Sequence, residues 1–299
     1  MGLTTQDVLK QARLFNPQVI GITSTTPVFN NVLRLSAVLR REFDDAVFIL
    51  GGAHATACPE DVLDSGLFDI AVIGEGEETF KELLVSLSGS KKDGLEHIKG
   101  IAFKKNGRVV IAEPRPTIGS LDSIPKPARH LLPPLRAYHP TPASYRKLPL
   151  AVIMTSRGCP NSCTFCDKSV FGDKFRKRSA ANVISEVEEV ISKYGAREIR
   201  FFDDTFTIDR SHVESICKEM KKINIGWTCL TAVNYVDKDI LAMLKDSGCW
   251  QVLFGLESGD DFILEKLKKG NTVQDNRKAV NWAYNAGLRV RADFLVGSP

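Results

Sequence analysis

Three cysteines, Cys159, Cys163 and Cys166, fall within eight positions of the stretch RGCPNSCTFC (157–166). Their company is Gly, Pro, Asn and Ser, which suits a loop and not the apolar setting of a buried core thiol. A disulfide consumes thiols in pairs. Structural zinc wants four ligands, and the nearest histidines, His139 and His212, lie 20 and 46 residues from the closest of the three cysteines. An iron–sulfur cluster fits better, because thiolates are its usual ligands. Clusters usually take four, so three would leave one iron with an open position, as a catalytic metal keeps for its substrate. The spacing therefore implies catalysis more than electron storage. The alternative is a non-catalytic iron–sulfur module that passes electrons or senses redox state; a zinc-stapled structural protein is the third reading.

Two other segments carry polar groups at strand ends. RFFDDTF (200–206) sets Asp203 and Asp204 side by side, and FGLESGDD (254–261) offers Glu257 and Ser258. A carboxylate there could hold a cation, while a solvated loop or a helix cap is the competing role. Earlier in the chain, TSTTP (23–27), GGAHAT (51–56) and GEGEE (74–78) each follow an apolar run. Such loops at strand C-terminal ends are where open α/β sheets bind ligands, with mere tight turns as the competing reading. The basic run Lys174–Arg178 could hold an anion, though such runs are more often solvated loops. Cys58, Cys217, Cys229 and Cys249 are scattered and read as core or incidental residues, as do Trp227, Trp250 and Trp282.

These groups need elements to position them. From Pro17 to about Ser90, short apolar strands (PQVIGIT, AVFILGG, FDIAVIG) alternate with helical patterns, the signature of a parallel sheet covered on both faces. IAFKKNGRVVIA (101–112) reads as a hairpin around Asn106–Gly107, and a connector holding seven of the 14 prolines follows. After Leu150, five β/α repeats with site-like loops predict a parallel barrel. The fold class is thus α/β: a partial doubly wound parallel sheet over 1–92, hairpin and Pro-rich linker over 93–149, and a partial barrel over 150–299. Three strands are few for a doubly wound domain, and the chain stops as a strand ends, so both ends look cut.

Forty basic against 36 acidic residues leave a net charge of +4, too little to argue for nucleic acid or a membrane surface. No apolar run approaches the roughly 20 residues of a spanning helix. No signal peptide opens the chain, and an odd seven cysteines suit a reducing compartment, so the expected location is the cytoplasm.

The motif C-x3-C-x2-C with Phe165 before the last cysteine resembles the signature of the radical SAM superfamily. The resemblance covers about Leu150–Pro299. It implies a (β/α)6 barrel, of which the sixth repeat is absent here, and a 4Fe-4S cluster on Cys159, Cys163 and Cys166. The free iron would chelate S-adenosylmethionine, yielding a 5′-deoxyadenosyl radical that takes a hydrogen from substrate. Asp203, Asp204, Glu257, Ser258 and Phe165 would then surround S-adenosylmethionine. The first half, with IPKPARHLL (124–132), is similar to the cobalamin-binding branch of that superfamily, so Ser24, Thr25, Gly51, Gly52, Gly74 and Gly76 would face cobalamin. No D-x-H-x-x-G occurs, so a histidine ligand to cobalt is not visible, and His54 sits on the wrong loop for it. The resemblance implies methylation, cyclisation or rearrangement of a small molecule at an unactivated carbon. It also implies a reducing partner such as ferredoxin or flavodoxin.

Overall fold

The structure is a computed structural model that describes residues 2–88 and 94–298. They form two compact units, Gly2–Ile118 with Asp167–Gly172, and residues 119–166 with 173–298. The boundary expected at 92–93 lies outside the described residues.

The first unit runs α1 (Thr5–Phe15), β1 (Val19–Thr23), α2 (Phe29–Glu42), β2 (Val47–Gly51), α3 (Ala53–Ala57), α4 (Pro59–Asp64), β3 (Ile70–Val72), α5 (Gly76–Ser88), β4 (Ile101–Lys105) and β5 (Arg108–Ile111). One sheet orders the strands β1-β2-β3-β4-β5, the first three parallel and the last two antiparallel. The strand order is therefore sequential, and the hairpin expected in the connector extends this sheet. Asn106 and Gly107, both at positive φ, make its turn. Phe48 and Leu50 pack with Leu9, Leu39 and Val62 on one face, whereas Ile49 packs with Leu83 of α5 on the other. Burial on both faces is why these strands read as unbroken apolar runs. Helix α1 is an addition to the sequence reading. Thr4 and Asp7 form a capping box at its start, and it buries only Leu9.

The second unit runs β6 (Leu150–Ile153), β7 (Ser156–Arg157), β8 (Arg176–Lys177), α6 (Ala180–Ser192), β9 (Glu198–Phe201), α7 (Arg210–Ile223), β10 (Gly226–Thr231), α8 (Lys238–Asp246), β11 (Cys249–Glu257), α9 (Asp261–Lys266), α10 (Val273–Asn285) and β12 (Arg289–Phe294). Its five-stranded sheet follows chain order, β6-β9-β10-β11-β12, and every neighbouring pair is parallel. Sequential parallel order with helical crossovers is the order a β/α barrel uses. Alternate residues such as Ile199, Phe201, Trp227, Val252 and Phe254 pack against the helices in one core. The intervening residues face the opposite side.

The proline-rich connector is fastened to this second unit. The Arg146 and Lys147 amides donate to the Glu198 carboxylate at 2.9 and 2.7 Å, and Trp250 Nε1 donates to it at 3.1 Å. Arg129 and Arg178 both pair at 2.6 Å with Glu186, whose side chain is 2% exposed. Part of the basic run is thereby consumed: Lys177 pairs with Asp209, and Arg178 with Glu186. Among the described residues no helix is long and apolar enough to cross a membrane.

Candidate functional site

The cysteine loop leaves β6 through β7, and the β7–β8 ribbon ties its two ends together. What fixes its start is Asp203. At the end of β9 the strand's alternation continues past the last sheet residue, so Phe202 and Asp204 are exposed while Phe201 and Asp203 are buried. The Asp203 carboxylate accepts the amides of Thr155 and Ser156, both at 2.6 Å, and the Thr155 hydroxyl at 3.0 Å. Burial pushes its pKa up to about 6, against the opposing effect of the Ser156 and Thr155 hydrogen bonds. Asp204 points out and accepts the Gly158 amide at 3.1 Å, one residue before Cys159.

Cys159 Sγ lies 3.9 Å from Thr205 Oγ1. The Tyr235 hydroxyl donates to Asn161 Oδ1 at 2.8 Å. Burial, together with the neighbouring Cys159 and Cys163 thiols, raises the pKa of Tyr235. The far side of the loop is held by Thr164, whose amide donates to the Leu267 carbonyl at 3.0 Å. Lys269 Nζ lies 5.6 Å from the centre of the Phe165 ring and 2.9 Å from Glu257 Oε1. Both members of that ion pair are nearly buried, and Glu257 is held at φ 63° at an irregularity in the β11–β12 ladder. Gly255 makes room for it, since a Cβ there would stand 2.4 Å from Glu257 Oε1. Ser258 Oγ accepts the Asp260 amide, and Asp260, not Ser258, caps α9.

The structure thus gathers Cys159, Cys163, Asp204 and Thr205 around the loop's first half, and Phe165, Glu257 and Lys269 around its second. Lys269, Tyr235, Asn161 and the Thr155–Ser156 amides are additions to the residues read from sequence. All seven cysteines stand as thiols. Cys217, Cys229 and Cys249 are buried, and burial pushes the Cys217 thiol up to about 12. These three are sealed in the core of the second unit, which leaves the loop thiols as the accessible cysteines of that unit, with Cys58 partly exposed in the first. Among the described residues no three His, Cys, Asp or Glu side chains converge on a single metal ion. A cluster gives each thiolate its own iron, so three partly exposed thiols spread over one loop fit it in donor chemistry.

In the first unit, the TSTTP turn and the two glycine-containing turns meet at the C-terminal ends of β1, β2 and β3. The Ser24 amide donates to the Gly51 carbonyl at 3.1 Å, and the His54 amide to the Ser24 carbonyl at 3.0 Å. The Gly74 amide donates to Thr56 Oγ1 at 3.0 Å. Gly52, at φ 89°, lies so close that a Cβ would stand 2.4 Å from Thr23 Oγ1. Gly74, also at positive φ, borders open space, and Gly76 only touches Val72. Thr25 is exposed, whereas Ser24 is buried with its hydroxyl donating to the Thr25 carbonyl at 2.9 Å. His54 is buried against Phe29, with Nδ1 3.1 Å from Thr26 Oγ1 and Nε2 without a hydrogen-bond partner. This edge, with its close backbone approach and one orphaned buried nitrogen, fits a large polar ligand.

Each of the two α/β units thus carries ligand-type loops at the C-terminal ends of its parallel strands. The B12-binding domain profile matches residues 1–84, and the radical SAM superfamily profile matches residues 153–299. The chain belongs to the cobalamin-binding branch of the radical SAM superfamily. It is 36% identical, over 99% of its length and 64% of the relative's, to an uncharacterised methyltransferase of Pyrococcus horikoshii. It is 27% identical, over 98% of its length and 48% of the relative's, to an anaerobic magnesium-protoporphyrin IX monomethyl ester cyclase of Cereibacter sphaeroides. The chain therefore spans about half to two thirds of these relatives. The fold is similar to that of the cobalamin-dependent S-adenosylmethionine radical enzyme OxsB with aqua-cobalamin bound. That match has a TM-score of 0.81 at 18% identity, covering 98% of this chain and 43% of that one.

Proposed function

We propose that this chain is the cofactor-binding part of a cobalamin-associated radical S-adenosylmethionine enzyme. The observation that carries the reading is the cysteine loop, pinned by Asp203 at its start while the remaining thiols of its unit are locked in the core. Cys159, Cys163 and Cys166 hold the 4Fe-4S cluster. Asp204 offers an exposed carboxylate to the methionine ammonium, and Glu257 and Ser258 bound the nucleoside end with Phe165 beside them. Asp203 supports this arrangement from behind, since its oxygens already accept three protein hydrogen bonds. In the first unit, Ser24, Thr25, Gly51, Gly52, Gly74 and Gly76 line the edge that receives cobalamin. When bound, these groups supply one-electron chemistry able to take hydrogen from an unactivated carbon. The reaction class is methylation, cyclisation or rearrangement of a small molecule, fed by a reducing partner such as ferredoxin or flavodoxin in the cytoplasm.

Anaerobic reconstitution with iron and sulfide should give a brown protein with broad absorbance near about 400 nm, lost on replacing the three loop cysteines by Ala. S-adenosylmethionine and a strong reductant should then yield 5′-deoxyadenosine. A colourless wild-type protein refutes the reading. A cluster without 5′-deoxyadenosine favours the electron-transfer module instead.

A further inference from the structure

The helix-free face of the second sheet carries two guanidinium groups that the proposed cofactor sites do not use. On β9, Ile199 and Phe201 pack into the helical core, which turns Arg200 and Phe202 to the opposite face. On β12, Val290 and Ala292 pack against the same core, which turns Arg291 and Asp293 likewise. Arg200 is in register with Thr228, Gln251 and Arg289, and Arg291 stands two residues further along with Leu253 and Leu230, so Thr228, Gln251 and the two leucines form the floor between the two arginines. Strands β9 and β12 stand three places apart in the sheet, roughly 14 Å at the usual strand spacing. Two arginine stems can converge over that span.

We propose that Arg200 and Arg291 form an anion-binding pair that receives the acid group, carboxylate or phosphate, of the substrate. The assignment rests on the reading of this unit as a radical S-adenosylmethionine domain, with substrate lying on the helix-free face. Among the described residues Arg200 has no hydrogen bond or ion pair. Its guanidinium lies over the Phe202 ring, whose centre is 5.2 Å from Cζ. Arg291 has only a loose contact with Asp293, at 3.8 Å. By contrast, the guanidinium groups of Arg129 and Arg178 in this unit are tied down, sharing the buried Glu186. An unpaired cation half out of water is costly unless an anion comes to meet it. The two groups also feel each other: Arg200 is pushed below the usual arginine range first by burial and then by Arg291, with Asp293 opposing. The planar fork of arginine matches carboxylate and phosphate oxygens in pairs. Phe202, half exposed beside Arg200, supplies apolar surface for the rest of such a molecule. The substrate class is therefore an acid group carried on an apolar frame.

The test uses the full chain without its cluster, so that failure to reconstitute iron is a separate result. Phenylglyoxal labelling is followed by peptide mass spectrometry in inorganic phosphate, in succinate, and in sodium chloride of equal ionic strength. Slowing of modification at Arg200 and Arg291 by about fivefold or more is expected with one of the two anions, with no slowing at the exposed helical Arg277. Protection by phosphate alone assigns a phosphorylated or phosphonate substrate, and protection by succinate alone a carboxylic acid. Arg200→Gln and Arg291→Gln should each weaken binding of the protecting anion about tenfold. Arg200→Lys keeps the charge and should weaken it less, which covers the case of a glutamine variant that folds poorly. No protection, equal protection by chloride or at Arg277, or glutamine variants that bind as tightly as wild type overturn the assignment.

Discussion

Replacing Asp203 tests the claim that a buried carboxylate sets the start of the cysteine loop. Its pKa is raised from an ordinary 3.8 to about 6 by burial. The folded protein thus holds the proton more tightly than the unfolded chain, and this group's effect on stability becomes less favourable as pH rises from 3.8 to 6. At about 1.4 kcal/mol per unit the full change is about 3 kcal/mol, of which about 2 kcal/mol falls between pH 4.5 and 7.5. Asp203→Asn removes the titration yet keeps an oxygen for the Thr155 and Ser156 amides. Asp203→Ala leaves both amides buried without an acceptor, at about 1–3 kcal/mol each. The assay is urea unfolding of wild type, Asp203→Asn and Asp203→Ala at pH 4.5, 6 and 7.5. The wild-type minus Asn difference should fall by about 2 kcal/mol from the lowest pH to the highest, and Ala should be the least stable at every pH. A pH-independent difference, or Ala matching Asn, refutes the clamp.

Burial holds His212 near a pKa of about 4, below an ordinary 6.5, so the unfolded chain takes up this proton first. Stability should therefore drop by about 3 kcal/mol as pH falls through that window, and a His212→Asn variant should lack this slope in urea titrations. Glu257→Ala strands the Lys269 ammonium in a nearly buried site and should cost about 3–5 kcal/mol, with Glu257→Leu/Lys269→Met recovering most of it. Gly52→Ala combines a positive φ with a 2.4 Å contact to Thr23 Oγ1, whereas Gly74→Ala meets only the φ penalty. Gly52→Ala should thus destabilise the first unit by more than the about 1–2 kcal/mol expected of Gly74→Ala, and should abolish aqua-cobalamin binding measured by absorbance.

Sequence alone carried most of the fold because the strands have one of two periods. Buried parallel strands such as β2 are apolar throughout, and helices such as α6 and α7 begin at Ser179 and Asp209, whose side chains accept the Asn182 and His212 amides. Elements without such a period were not legible: α1 buries a single residue, and β7 and β8 are two residues each. The cysteine spacing was legible because it is local. The partners of that loop were not. Asp203 and Asp204 are adjacent and chemically alike, and only the strand's alternation at its end turns one inward and the other out. Lys269 lies twelve residues beyond Glu257 with α9 between, a separation at which no local rule pairs a lysine with a carboxylate.

The split between loop thiols and core thiols has a consequence for how the protein ages in air. Cys159, Cys163 and Cys166 sit in a partly open loop, while Cys217, Cys229 and Cys249 are sealed beneath helices. Oxidants climb the sulfenic and sulfinic ladder fastest where a thiolate is exposed. Damage in the second unit would therefore collect at three positions that hold no core together, erasing the chemistry while leaving a folded, cooperatively melting shell. An aerobically purified sample could pass every test of foldedness and still be dead, and mass shifts in the 159–166 peptide, with none at the three core cysteines, would be its record.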